Sequence, residues 1–164
     1  MIRICTHMIR LKIKTLFFFL CILSFTTLVL CGTAASDEIS WNDGDIRWWH
    51  NEDGMDYAWR EGKPVIIIVY TDWCPTCKKY GQVFQDERVV TESNKFIMVR
   101  INSDTNKELS LKYAFDGTYI PRTIALYPGG SVMHEIYPRK NYKYYIGTDA
   151  NRLLKLMKDA YSKL

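Results

Sequence analysis

Apolar and polar positions divide this 164-residue chain into alternating extended and helical segments. The plainest is Val65-Ile66-Ile67-Ile68-Val69-Tyr70, an unbroken, mostly β-branched run of the kind that forms a central strand buried on both faces. Met55–Glu61 before it predicts a short helix, stopped by Gly62 and then Pro64. After it a helix is expected from Cys74 to about Gln85, with Cys77, Tyr80, Gly81 and Phe84 on one face, and Asp86–Ser93 extends it or adds a turn. Phe96–Asn102 predicts a second apolar strand and Asn106–Ala114 a further helix. Thr123–Tyr127 and Val132–Ile136 predict a third and a fourth strand, paired as a hairpin through Pro128-Gly129-Gly130. Ala150, Leu153, Leu154, Met157, Ala160, Tyr161 and Leu164 recur at helical spacing, with Thr148 as the expected N-cap. The order α-β-α-β-α-β-β-α implies an α/β fold: a central, mostly parallel mixed sheet of about four strands, with helices on both faces. Residues 55–164 are the expected domain. Residues 36–54, rich in Trp, Asp, Asn and Gly, read as a lead-in loop whose tryptophans pack on it.

The first 35 residues do not fit this pattern. Arg10, Lys12 and Lys14 precede an uncharged apolar run from Leu16 to Cys31, then Gly32-Thr33-Ala34-Ala35 and the polar Ser36-Asp37-Glu38. A positive start, an apolar middle and a small-residue exit predict a secretory signal peptide over 1–35, with Met8 as an alternative start. An uncleaved anchor is the competing reading, although the run falls short of the ~20 residues that span a bilayer. A lipidated Cys31 is a further alternative, but Leu30 stands where that signal has a small residue.

Composition matters once the leader is set apart. At 48% hydrophobic and 24% charged residues, the chain has the balance of a folded globular protein and not of a disordered one. The net charge of +4 would suit an anionic partner. Arg3, Arg10, Lys12 and Lys14 account for all of it, so the remainder is formally neutral and no nucleic-acid partner is expected. Membrane association is expected only through the N-terminal segment, if it is retained.

Cysteine usage points to chemistry. Cys5, Cys21 and Cys31 lie in the leader, which leaves only Cys74 and Cys77. Two cysteines separated by two residues close almost no loop, so a disulfide between them adds little stability. A Cys-x-x-Cys pair can be half of a zinc site, but only His50 and His134 remain as companions, and no metal or other cofactor is expected. The pair follows a strand and opens a helix, whose first turn offers free N–H groups and partial positive charge to a thiolate. Cys74 is therefore the expected nucleophile. Cys77, one turn later on the same face, is the expected resolving thiol. Pro75 suits a first turn, where a missing N–H costs nothing. Trp73 would shield one side of the sulfur, and Lys78 and Lys79 add positive charge nearby.

Trp73-Cys74-Pro75-Thr76-Cys77-Lys78 after an apolar strand, with Ile120-Pro121 downstream, resembles the thioredoxin superfamily. That resemblance implies the thioredoxin-like fold and a cis peptide at Pro121 facing the dithiol. It further implies that Ile120 offers backbone groups to an extended client, so that Trp73, Pro75, Thr76, Ile120 and Pro121 form the client-facing surface. Gly62-Lys63-Pro64-Val65 and Tyr70-Thr71-Asp72-Trp73-Cys74 resemble the C-terminal domain of the periplasmic transmembrane disulfide reductase. Gly117-Thr118-Tyr119-Ile120-Pro121-Arg122, Tyr142-Lys143-Tyr144-Tyr145 and Gly44-Asp45-Ile46-Arg47-Trp48 resemble the small endoplasmic-reticulum proteins of the anterior-gradient group. One departure concerns proton transfer. Thioredoxins proper carry a buried Asp six residues before the first cysteine, and here that residue is Ile68. Water or Lys63 would then take the proton from Cys77.

The expected function is an extracytoplasmic thiol-disulfide oxidoreductase, acting on protein thiols and disulfides and recycled by a redox partner. Two alternatives stand beside it. One is a client-binding, chaperone-like module, suggested by eleven tyrosines, five tryptophans and the absent acid. The other is a dedicated electron carrier for one partner, such as the cytochrome c maturation machinery. A periplasm or secretion fits better than the ER lumen, because the chain ends without a retention tetrapeptide. Its Ser162-Lys163-Leu164 terminus matches a peroxisomal address, but a secretory leader acts first.

Overall fold

The computed structural model describes residues 39–164, and the leader expected over 1–35 lies outside them. Four strands form one sheet in the order β1-β3-β2-β4: β1 (Trp48–Trp49), β2 (Val65–Tyr70), β3 (Ile97–Asn102) and β4 (Arg122–Leu126). β1 and β2 run parallel to β3, and β4 runs antiparallel to β2. The helices are α1 (Asn51–Glu61), α2 (Pro75–Gly81), α3 (Glu87–Ser93), α4 (Lys107–Lys112) and α5 (Ala150–Tyr161).

Strand alternation divides the core. Ile66 and Ile68 of β2 pack with Met98 of β3, with Tyr80 and Phe84 after the dithiol, and with Leu153 and Met157 of α5. Val65, Ile67 and Val69 face the other way, onto Val99, Ile101 and Ile124 and onto Ala58 of α1. A strand whose residues reach two cores in turn must be apolar at every position, which is why β2 is a continuous run and not an alternating one.

Four differences from the expected elements have local causes. The segment read as a lead-in loop contributes β1, which pairs through Trp48 to Met98, and it also holds the first turn of α1. Its Ile39, Trp41 and Ile46 are buried. Second, the helix expected from Cys74 to about Gln85 ends as α2 at Gly81 and tightens into a 3-10 turn over Gln82–Gln85. Gly81 lies where the lead-in backbone crosses; a Cβ there would collide with Ile39 and stand 3.0 Å from the Ser40 carbonyl oxygen. Third, Val132–Ile136 is not a strand. Only Val132 bridges to Leu126, and a 3-10 turn over His134–Ile136 follows. The Tyr137 hydroxyl takes over the edge of β4, accepting from the Ala125 N–H at 2.7 Å and donating to the Thr123 carbonyl at 2.9 Å. The Thr123 N–H donates to the Tyr144 carbonyl at 2.8 Å. These bonds satisfy an edge that would otherwise need another strand. Fourth, Asp149 and not Thr148 caps α5, accepting the Asn151 N–H at 2.9 Å.

Candidate active site

β2 and β4 meet at one end of the sheet. Val69 pairs with Arg122, so Pro121 arrives beside the end of β2, where Thr71-Asp72-Trp73 lead out toward Cys74. The Ile120–Pro121 peptide is cis, as the resemblance implied. Tyr80 of α2 and Thr123 of β4 share a buried hydroxyl–hydroxyl hydrogen bond of 2.8 Å, which ties the dithiol helix to the strand behind the cis-proline.

Cys74 is the N-cap of α2. Its sulfur accepts the Cys77 N–H at 3.2 Å, and Pro75 fills the first turn where no donor is needed. The Cys77 thiol donates to the Cys74 sulfur at 2.6 Å, so the two sulfurs are already adjacent. Both cysteines are free and buried, Cys77 completely and Cys74 at 5% exposure. Burial, and then the hydrogen bond to the Cys74 sulfur, push the Cys77 thiol well above its ordinary range, so it carries its proton at neutral pH. Ile68, at the position of the missing acid, is fully buried in the same apolar cluster as both cysteines.

This asymmetry has a measurable consequence. A proton held more tightly in the folded state than in the unfolded chain stabilises the fold below the ordinary thiol value of ~8.5, and that stabilisation is lost as pH rises above it. Urea titrations of the reduced protein across alkaline pH are expected to show a steeper loss of stability than those of Cys77→Ala. Equal slopes would show that Cys77 is not held as a thiol.

Around the sulfurs, the Trp73 indole N–H donates to Asp104 at 2.8 Å and leaves its ring 67% exposed. Asn102, at the end of β3, donates to Asp72 at 2.7 Å and accepts the Asp104 N–H at 2.9 Å. Pro75 is exposed, Thr76 and Ile120 are half-buried, and Pro121 is buried. Lys63 is not part of the site. It stands before β2, about 20 Å of strand away from the dithiol, and its ammonium donates to the Asn94 carbonyl at 3.2 Å. Lys63 therefore cannot take the Cys77 proton. Asn102, Asp104, Thr123 and Arg122 carry no local sequence signal, because their partners lie far along the chain. Among the described residues no group of three or more His, Cys, Asp or Glu is placed to hold a metal ion.

Residues 48–128 match a family profile described as thioredoxin-like. Anterior gradient protein 3 of Homo sapiens is 32% identical over 109 residues, which cover 64% of this chain and 63% of that protein. The chain thus spans less than two thirds of the length of that relative. Among solved structures, a thioredoxin from Thermus thermophilus is similar with a TM-score of 0.55 at 19% identity, covering 73% of this chain and 89% of that one. The DsbH oxidoreductase is similar with a TM-score of 0.56 at 18% identity, covering 71% and 85%. The profile match takes in the whole β2–dithiol–α2 unit and continues past the cis-proline turn, so residues 48–128 are thioredoxin-like in sequence, and the likeness to the solved thioredoxin shows that the fold is thioredoxin-like.

Proposed function

We propose that this protein is a thiol-disulfide oxidoreductase acting on protein substrates outside the cytoplasm. The observation that carries this reading is the pair of free, adjacent sulfurs at the start of α2, one capped by an N–H and the other held as a thiol. In the reducing direction the Cys74 thiolate attacks one sulfur of a client disulfide. An S–S bond forms between Cys74 and the client, and the other client sulfur leaves as a thiolate. Cys77 then gives up its proton and attacks the Cys74 sulfur. The Cys74–Cys77 disulfide forms, the second client thiolate departs, and the client has gained the two electrons the dithiol lost. An external dithiol resets the pair, and the reverse sequence oxidises a client. With Ile68 in place of a base, the Cys77 proton leaves to solvent or to the departing client thiolate.

Trp73, Pro75, Thr76, Ile120 and Pro121 form the client-facing surface in this reading. Ile120 supports it: neither its N–H nor its C=O is hydrogen-bonded within the described residues, so both are available to an extended client segment. The leader composition and the likeness to an anterior gradient protein support an ER or extracytoplasmic location. No described helix is long and apolar enough to cross a membrane.

The test is dithiothreitol-driven insulin reduction together with Cys77→Ala trapping of mixed disulfides. Acceleration over dithiothreitol alone, with several trapped clients, supports the general oxidoreductase. A single trapped partner supports the dedicated carrier, and no acceleration with no trapping overturns the redox reading. A second reading, client holding without redox chemistry, is favoured by the exposed rings of Trp73 and Tyr142. It predicts client binding that survives loss of both cysteines.

A further inference from the structure

We propose that Arg122 is a positioning residue that fixes the two walls of the client groove, the Tyr119–Pro121 turn and Trp73, relative to one another. This rests on the oxidoreductase reading above, and it names what shapes that site. Arg122 directly follows the cis-proline and is fully buried, among the largest side chains so enclosed in the described residues. One guanidinium nitrogen, Nη1, donates to the Tyr119 carbonyl at 2.8 Å. The other, Nη2, donates to the Ser110 carbonyl at 2.8 Å and to the Ser110 hydroxyl at 3.0 Å. Its Nε has no partner, and no carboxylate accepts from it among the described residues. The carboxylate of Asp116 is engaged elsewhere, by the Tyr119 hydroxyl at 2.7 Å and by the Lys143 N–H.

A buried cation with no carboxylate in hydrogen-bond contact is a poor stabiliser, even with Asp116 near enough to act on its charge, and a methionine or leucine filling the same space would avoid its desolvation cost. What arginine supplies and those residues lack is a rigid planar fork that holds several acceptors at fixed angles. The acceptors here belong to two separate segments, the client turn and α4. From α4 the connection continues, because the Ser110 hydroxyl is 2.8 Å from the Ser103 hydroxyl at the end of β3. Ser103 lies between Asn102 and Asp104, the residues that hold Asp72 and the Trp73 indole. The cis-proline wall and the tryptophan wall are therefore connected through Arg122, by hydrogen bonds from Tyr119 through Arg122 and Ser110 to Ser103 and from there along the backbone to Asn102 and Asp104. Tyr119 is held at both ends, its carbonyl by Arg122 and its hydroxyl by Asp116 and the Tyr144 N–H at 3.0 Å. That leaves the unbonded peptide groups of Ile120 in one fixed orientation, as main-chain pairing with a client requires.

The test compares Arg122→Met and Ser110→Ala with the wild type in the intact chain. Two readouts are used: the kcat/KM ratio for insulin over a small aromatic disulfide, and amide and indole N–H resonances by NMR. Insulin needs the groove, and the small disulfide needs only the sulfurs. Arg122→Met is expected to lower the insulin preference about tenfold, and Ser110→Ala about threefold in the same direction, as loss of positioned hydrogen bonds predicts. Both the Ile120 amide and the Trp73 indole resonances should move in each variant. If the two substrates lose rate together, or if the Trp73 indole is unmoved, the proposal is overturned. Should Arg122→Met fail to fold, Ser110→Ala, which removes one hydroxyl, decides the matter alone. Should the wild type reduce no insulin, the oxidoreductase reading fails, and the NMR comparison still decides whether Arg122 couples the two walls.

Discussion

Cys74→Ser abolishes insulin reduction, with a fall of at least about 10³-fold to the rate of dithiothreitol alone, because a serine hydroxyl at neutral pH does not replace a thiolate nucleophile. The structure makes this substitution informative about chemistry and not about folding. Serine is a good N-cap, so its oxygen can accept the Cys77 N–H that the Cys74 sulfur accepts now. The start of α2 therefore survives, and the thermal midpoint should move little. Cys77→Ser behaves differently: the first attack still occurs, resolution does not, and mixed disulfides accumulate. Cys77 is fully buried and holds its proton at neutral pH, so in the proposed mechanism the two cysteines are not expected to exchange roles. Insulin turbidity and thiol trapping read the two variants. If Cys74→Ser keeps more than a small fraction of the activity, the nucleophile is misassigned.

The largest effect on stability is expected at Phe84. This ring is fully buried in the 3-10 turn after α2. It makes edge-on and tilted contacts with Trp41 at 5.6 Å, Trp48 at 5.2 Å and Tyr80 at 5.3 Å between centroids. The Phe84 carbonyl also accepts from the Asn42 side chain at 2.9 Å. Phe84 thus joins the lead-in segment and β1 to the helix that carries the dithiol. Phe84→Ala empties the centre of an aromatic cluster and is expected to cost about 3–5 kcal/mol. Against a total of roughly 5–15 kcal/mol for a domain, that is a severe loss. Urea unfolding of the reduced protein, with the midpoint falling and the slope unchanged, measures it. A loss below about 1 kcal/mol would mean that the lead-in segment does not depend on this contact.

The elements legible in the sequence were those whose cause is local. β2 follows from a continuous β-branched run, and α5 follows from apolar residues at helical spacing. The α2 start at Cys74 follows from a strand ending and a proline in the first turn. The dithiol was legible for the same reason, since a spacing of three residues on one helical turn brings two sulfurs together without help from the rest of the chain. β1 was not legible, because two tryptophans become a strand only when Met98 and Val99 lie beside them. The failed fourth strand had the right alternation, but the hydroxyl of Tyr137 competed for the same edge and won.

The sequence by itself determined the pairing of the two sulfurs and the central strand, because both depend on neighbours within a few residues. Tertiary structure alone decided what surrounds the dithiol. It bonded Lys63 to the Asn94 carbonyl, set Asp104 against the Trp73 indole, and bonded Tyr80 to Thr123 across 43 residues of chain. It also enclosed the Arg122 guanidinium between the Tyr119 carbonyl and Ser110 of α4. The physical reason is that a polar side chain removed from water must find partners wherever folding has brought them. Those partners are fixed by how the sheet and helices pack, not by any pattern along the chain.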